Sequence, residues 1–321
     1  SIKMNLSQKL VSFIFFISYG IRTAITCFAM DQFISVLGSQ KLGAYFSISA
    51  VISIVSVCTF SMLNKKLSNL SRFIGLHFFI LASALSCIIV GKPEFTAQVT
   101  FLCMIGLGLM IYFSNWSIAS IFINPFESKR IFPLLGVFAQ LGMVAGSLFA
   151  MGSNYGISKS VYLPCWLLIE VIILCVAIFL KTKESENRDD YEAVSENNKV
   201  GLKALFGHYS LIPKMAIWIF LWGITFTGIK SLTGKSFGEF GVNLTALYGG
   251  LDLSAAILSA LLLTTVYPKA LKLLKLGGIL LTTSLILFVV GTTYLVFDNF
   301  VFAITAFLIF KLLEETFITM S

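Results

Sequence analysis

Charge is what this sequence has least of. Only 12% of its 321 residues are Asp, Glu, Lys or Arg, against about 25% in a soluble domain. So few charges cannot give a soluble protein of this length a hydrated surface, which excludes a water-soluble enzyme, a nucleic-acid-binding domain and a disordered chain. Histidine is nearly missing too. His77 and His208 stand alone, and the six cysteines (Cys27, Cys58, Cys87, Cys103, Cys165, Cys175) form no C-x-x-C pair, so no metal site and no cofactor is expected. All six lie in apolar runs, where free thiols are expected to be buried as small hydrophobes. Acids are the scarcer sign: 15 against 23 bases gives a formal net charge of +8, and Glu184, Glu186, Asp189, Asp190, Glu192 and Glu196 fall in a single stretch.

What fills the chain is apolar. Hydrophobic residues make up 57% and aromatics 14%, with a mean hydropathy of +0.92. About 20 apolar residues span a bilayer as helix. Ten such runs occur: 10–30, 42–63, 73–90, 100–123, 134–151, 161–180, 212–229, 244–267, 276–297 and 300–319. The first is too long for a signal peptide and is read as a retained helix. Lipid leaves no partner for an unpaired backbone group, and the strand alternation of an outer-membrane barrel is absent. The fold class is therefore an all-α polytopic membrane protein with the lipid bilayer as its main partner. Gly142 and Gly146 form a G-x-x-x-G in the fifth run, a spacing that lets helix backbones approach closely and that packed helices also carry without special purpose.

The cations orient the chain. With the N-terminus in the cytoplasm, sixteen Lys and Arg fall in inside segments, among them Lys65, Lys66, Arg72, Lys129, Arg130, Lys269, Lys272 and Lys275. Five (Lys41, Lys92, Lys159, Lys230, Lys235) fall outside, while Arg22 and Lys311 lie within runs. That asymmetry places the N-terminus in the cytoplasm. The longest polar gap follows the sixth run and begins KTKESENRDDYEAVSENN, charged on both signs without apolar period, which reads as a flexible linker. It divides the chain into a six-span half (1–180), a cytoplasmic linker (181–211) and a four-span half (212–321). The basic gap after span two recurs after span eight, and Arg22 of span one is matched by Lys230 of span seven at nearly the same offset, which suggests a parallel repeat.

Six spans, a charged linker and a second set is a layout similar to that of the major facilitator superfamily. The stretch Phe126–Ser147, FESKRIFPLLGVFAQLGMVAGS, resembles the loop and fifth helix of the bacterial and plastid nucleotide transporters (the ATP/ADP translocase family), as do Trp116 and the terminal KLLEET at Lys311–Thr316. The loop NKKLSNLSR at Asn64–Arg72 keeps the superfamily's basic charge but lacks its Gly and Asp, and the carboxylates typical of spans four and seven are absent from YFSNWSIAS and FTGIKSLTG. The resemblance implies a major-facilitator helix bundle of twelve spans, of which ten are seen, and so a fragment or a shortened relative. It also implies a bacterial inner membrane, a monomer, and a small anionic substrate such as ATP or ADP.

An ionisable residue at the bilayer centre costs about 2.5–3.5 kcal/mol on insertion scales, so each one inside a span is a functional candidate. Arg22 is the deepest, and its guanidinium suits a carboxylate or phosphate; the competing role is an internal salt bridge. Lys311 is a second anion contact by resemblance, or it pairs with Glu315 one turn on. Lys230 either snorkels outward or touches substrate. Asp252 is placed to pair with a cation or carry a proton, and Glu170 and Glu314 are further coupling or ion-pair candidates. Asn115, Trp116 and Tyr19 could offer amide and aromatic contacts to a base or sugar, with packing as their ordinary role. Lys129 and Arg130, beside Pro125 and Pro133, suit a gate at the cytoplasmic mouth.

The expected function is secondary transport of an organic anion by alternating access, foremost ATP/ADP-type exchange. A proton-coupled carrier of a smaller metabolite using Asp252 or Glu314 is the alternative, and a non-transporting scaffold or receptor a lesser one. An enzyme is not expected: the loops hold no G-x-S-x-G and no His/Asp/Glu cluster.

Overall fold

The computed structural model describes residues 4–63, 66–186, 228–230, 232–239, 243–265, 282, 285–286, 288–293 and 299–320. Helix α1 (Leu6–Leu37) opens on a reciprocal cap, the Asn5 side chain accepting from the Gln8 N–H at 2.8 Å and the Gln8 side chain from the Asn5 N–H at 3.1 Å. It ends where Gly38 takes a φ of +85°. One tight turn leads into α2 (Leu42–Leu63), and α3 (Asn69–Val90) follows under a Ser68 cap. Next come α4 (Pro93–Phe101), α5 (Gly108–Phe122), α6 (Pro125–Met151) and α7 (Tyr162–Glu186). Beyond the linker, residues 228–230 and 232–239 are helical, α8 spans Leu244–Thr265 and α9 spans Phe300–Met320. Spans seven and nine, and the basic gap at Lys269–Lys275, lie mostly outside the described residues.

Among the described residues, five helices are long and apolar enough to cross a membrane, and the α4–α5 pair makes a sixth when counted as one bent span. The outer faces fit that reading. Ile89 and Met62 are 74% exposed, and only 11% of the apolar stretch over Ser39–Leu63 is inside the molecule, against 61% for α1. An apolar surface this wide belongs to lipid rather than water, and α1 is the central post. Cys58 and Cys175 belong to that outer surface, which corrects the expectation that every thiol is buried.

The close approach suggested by the G-x-x-x-G is realised. A Cβ at Gly142 would collide with the Phe16 carbonyl oxygen of α1, and one at Gly146 with that of Gly20. Side chains at these positions would force α1 and α6 apart.

Four boundaries differ from the sequence reading. The fourth span is not straight: Leu102–Gly106 form a π-turn, and the helix bends by 48° before α5. The Ser53 hydroxyl of α2 donates to the Gly106 carbonyl at 2.6 Å, supplying a partner to a backbone group at the break. Helix α6 starts at Pro125, capped by Asn124, so Lys129 and Arg130 lie in its opening turns rather than in a loop. Helix α7 runs on to Glu186, into the expected linker. Helix α1 continues to Leu37, seven residues past its apolar run, and takes Asp31 with it.

Candidate functional site

The two halves expected from the sequence meet where α8 packs against α1 and α6. A Cβ at Gly249 of α8 would lie 2.8 Å from the Ser147 carbonyl oxygen and 2.8 Å from Ala150 Cβ of α6, so this seam is packed at backbone distance. An apolar cluster crosses it, with Phe33 of α1, Phe46 of α2 and Phe101 of α4 joining Phe237, Tyr248 and Phe307 from the second half.

Charge sits in the seam at two levels. At the Leu37 end, Asp31 is buried and accepts from the Ser35 hydroxyl at 3.1 Å, from the Thr245 hydroxyl of α8, and from Lys159 in the connection between α6 and α7. The Lys159 side chain is 42% exposed while that of Asp31 is 3% exposed, so a surface cation covers an interior carboxylate. Beside them the Ser153 hydroxyl donates to Asn243 Oδ1 at 3.3 Å. These contacts tie α1 and the α6–α7 connection to the start of α8.

The second level is deeper. Lys311 Nζ of α9 lies 3.2 Å from Asp252 Oδ1 of α8, and the Cys27 thiol of α1 approaches Asp252 Oδ2 at 3.7 Å. With about 1.5 Å rise per residue, Cys27, Asp252 and Lys311 each lie about 12–17 Å from the end of their helix, near the middle of a roughly 30 Å hydrocarbon core. Asp252 is 4% exposed. One turn along α8, the Tyr248 hydroxyl is buried without a hydrogen-bond partner.

This arrangement of helices has a counterpart. The chain matches the crystal structure of the nucleoside transporter NupG with a TM-score of 0.63 at 15% identity, covering 98% of this chain and 80% of that one. The fold is of the major-facilitator type. No family model and no curated protein matches the chain. Following the division expected from the sequence, α1 to α7 are taken as the first half, and α8 and α9 as part of the second.

The residues singled out from the sequence distribute as follows. Asp252 and Lys311 come together from two different helices. The side chains of Glu314 and Glu315 lie outside the described residues, as does that of Lys129; Arg130 is exposed on α6. Lys230 is half-buried, with its ammonium 5.6 Å from the centroid of the Phe310 ring. Asn115 donates to the Ser18 hydroxyl at 3.1 Å and ties α5 to α1. Tyr19 stacks on Phe15, and the Phe15 ring meets Trp116 edge-on at 5.0 Å, so these aromatics pack within the first half.

Arg22 opens into the first half. It lines a small cavity with Ser18, His77, Trp166 and Glu170, and its Nη2 sits where a Cβ at Gly108 would approach to 2.7 Å. Among the described residues, no carboxylate lies within 4 Å of it. Glu170 is bound instead to His77, whose Nδ1 is 2.7 Å from its Oε2.

Sequence reasoning missed Asp31, His77 and the Gln8–Glu127 hydrogen bond (2.9 Å) that joins α1 to α6 at the Leu6 end. Asp31 was legible as a carboxylate one residue past an apolar run. The polar start of α6 was visible in FESKR, although the bond uses Glu127 rather than the neighbouring cations.

Proposed function

We propose that the chain is a secondary carrier that moves a small organic solute across the bilayer by alternating access, with Asp252 and Lys311 as its coupling pair. The observation carrying this reading is the Asp252–Lys311 pair itself, buried at mid-depth where the halves meet and touched by Cys27 from the opposite half. With the N-terminus in the cytoplasm, the Asp31–Lys159–Thr245 cluster closes the outer side. Parting the halves there removes Cys27 from Asp252 and admits water. A proton taken by Asp252 then frees Lys311 to hold an acceptor on the solute, so proton and solute enter together.

The charge balance supports an uncharged or singly charged solute over a polyphosphate. Lys311 is matched by Asp252, Lys230 lies over an aromatic ring, and Arg22 opens into the first half. The nucleoside carried by the structural counterpart supplies the class to test first. ATP/ADP exchange is the second reading, favoured by the absence of a carboxylate within 4 Å of Arg22 among the described residues.

The test is uptake of labelled nucleoside by vesicles containing the purified chain. An inside-alkaline pH gradient should drive accumulation that a protonophore collapses. Asp252→Asn should lose gradient-driven accumulation and keep counterflow. Labelled ATP–ADP counterflow indifferent to the gradient would overturn this reading in favour of exchange, and full accumulation by Asp252→Asn would remove Asp252 from coupling.

A further inference from the structure

Tyr248 plays no part in the mechanism above, yet it carries a cost that the mechanism can use. It is 3% exposed, and its hydroxyl finds no hydrogen-bond partner among the described residues. The ring is pinned inside the second half, its centroid 5.6 Å from that of Phe237 and 5.5 Å from that of Phe307. The hydroxyl lies beside Gly234, where a Cβ would stand 3.4 Å from it, 2.8 Å from Leu42 Cδ1 and 3.5 Å from Met30 Cε. Met30 belongs to α1 and Leu42 to α2, and both are buried. The hydroxyl therefore sits where the second half meets apolar side chains of the first.

Tyr162 shows the ordinary arrangement. It is as deeply buried, but its hydroxyl donates to the Phe149 and Ala150 carbonyls at 3.1 and 3.3 Å. A buried hydroxyl without such a partner has lost its hydration and gained nothing for it. Phenylalanine in the place of Tyr248 would keep the contacts with Phe237 and Phe307 and carry no such cost. The cost also depends on conformation, because it lasts only while the seam is shut. When the halves part, the apolar groups of α1 and α2 withdraw and water reaches the hydroxyl.

We infer that the Tyr248 hydroxyl is a built-in bias toward opening of the seam, an inference that rests on the carrier reading above. The other described contacts across the seam favour closure: Thr245 on Asp31, Ser153 on Asn243, and the apolar cluster that joins Phe33, Phe46 and Phe101 to Phe237 and Phe307. A carrier held by such contacts alone would rest almost entirely in one access state. One group that is unmet in the closed state and hydrated in the open one moves the balance back, by about ten-fold for a hydroxyl. It does so with no ligand bound, since a difference in free energy between the two states is all that a shift requires.

Cys27 reports the opening. Its thiol is 1% exposed and lies against Asp252, one turn deeper along α8 than Tyr248, so a reagent reaches it only when the seam parts. The purified full chain in detergent is treated with N-ethylmaleimide, and the labelling rate at each cysteine is read by peptide mass spectrometry. Tyr248→Phe should slow labelling of Cys27 about ten-fold and leave the exposed Cys58 and Cys175 unchanged. Its thermal midpoint should rise, whereas Tyr162→Phe, which removes a hydroxyl that is bonded, should lower it. An unchanged Cys27 rate would mean that an ordered water meets the hydroxyl in the closed state and would overturn the inference while leaving the carrier reading in place. A faster rate, or a midpoint that falls as it does for Tyr162→Phe, would overturn it by showing that the hydroxyl helps to hold the seam shut. A Cys27 that never labels in the parent would overturn the carrier reading itself, and the inference with it.

Discussion

A double-mutant cycle on Asp252 and Lys311 puts the central pair to its sharpest test. At 3.2 Å, two unit charges attract by about 5 kcal/mol in a medium of effective dielectric constant near 20, and desolvation offsets much of that. The side chains are 13% and 6% exposed, so neither charge is well hydrated when its partner is lost. Asp252→Asn should therefore cost about 3–5 kcal/mol, and Lys311→Met a similar amount, because each breaks a buried ion pair. The double variant should return to within about 1 kcal/mol of the parent, giving a coupling energy of roughly 5 kcal/mol or more. In thermal unfolding of the purified chain, each single change should lower the midpoint by roughly 6–10 °C and the double by far less. Single effects that simply add, within about 0.5 kcal/mol, would show that the two groups do not interact and would refute the pairing.

Three further outcomes follow from the packing. Gly146→Ala should destabilise by about 1–3 kcal/mol, since its methyl meets the Gly20 carbonyl of α1, whereas the same change at Gly136, with nothing near its Cβ position, should be close to neutral; denaturant unfolding checks both. Cysteines at Ser153 and Asn243, whose side chains hydrogen-bond at 3.3 Å across the seam, should form a disulfide under oxidant and block uptake until reduced, as compared with the parent under the same treatment. His77→Ala should cost about 3–5 kcal/mol by stranding Glu170 in the interior, and adding Glu170→Gln should recover most of it; circular dichroism melts distinguish the two.

The helices were legible because bilayer thickness sets their length, and a run of about 20 apolar residues is hard to mistake. Their ends were not. The α1 backbone goes on hydrogen-bonding for seven residues after its apolar run stops, which is how Asp31 came to be read as outside the span. Asp252 and Lys311 stood out one at a time, as ionisable residues in oil, but their pairing depends on how α8 and α9 are rotated about their axes, which no spacing along a single helix encodes. His77 looked isolated for the same reason: its partner lies 93 positions away on α7. The bend in the fourth span left only a faint trace, Gly106 and Gly108 on either side of Leu107, with no proline to announce it. The serine on α2 that reaches the carbonyl at the break is a tertiary contact, which no local pattern encodes.

The placement of the buried charges also separates what can sense transport from what cannot. His77, Glu170 and Arg22 all belong to the first half, so a movement of one half against the other carries them together and changes none of their distances. Asp31 with Thr245, and Asp252 with Cys27, join groups from opposite halves, and both distances change when the seam opens. Only contacts of the second kind differ in free energy between the two access states, and a ligand or proton shifts an equilibrium only through such a difference. In the carrier proposed above, coupling therefore runs through the seam. A charge inside one half, however deep, can tune the stability of that half or hold an ion there, and cannot by itself report which side of the membrane is open.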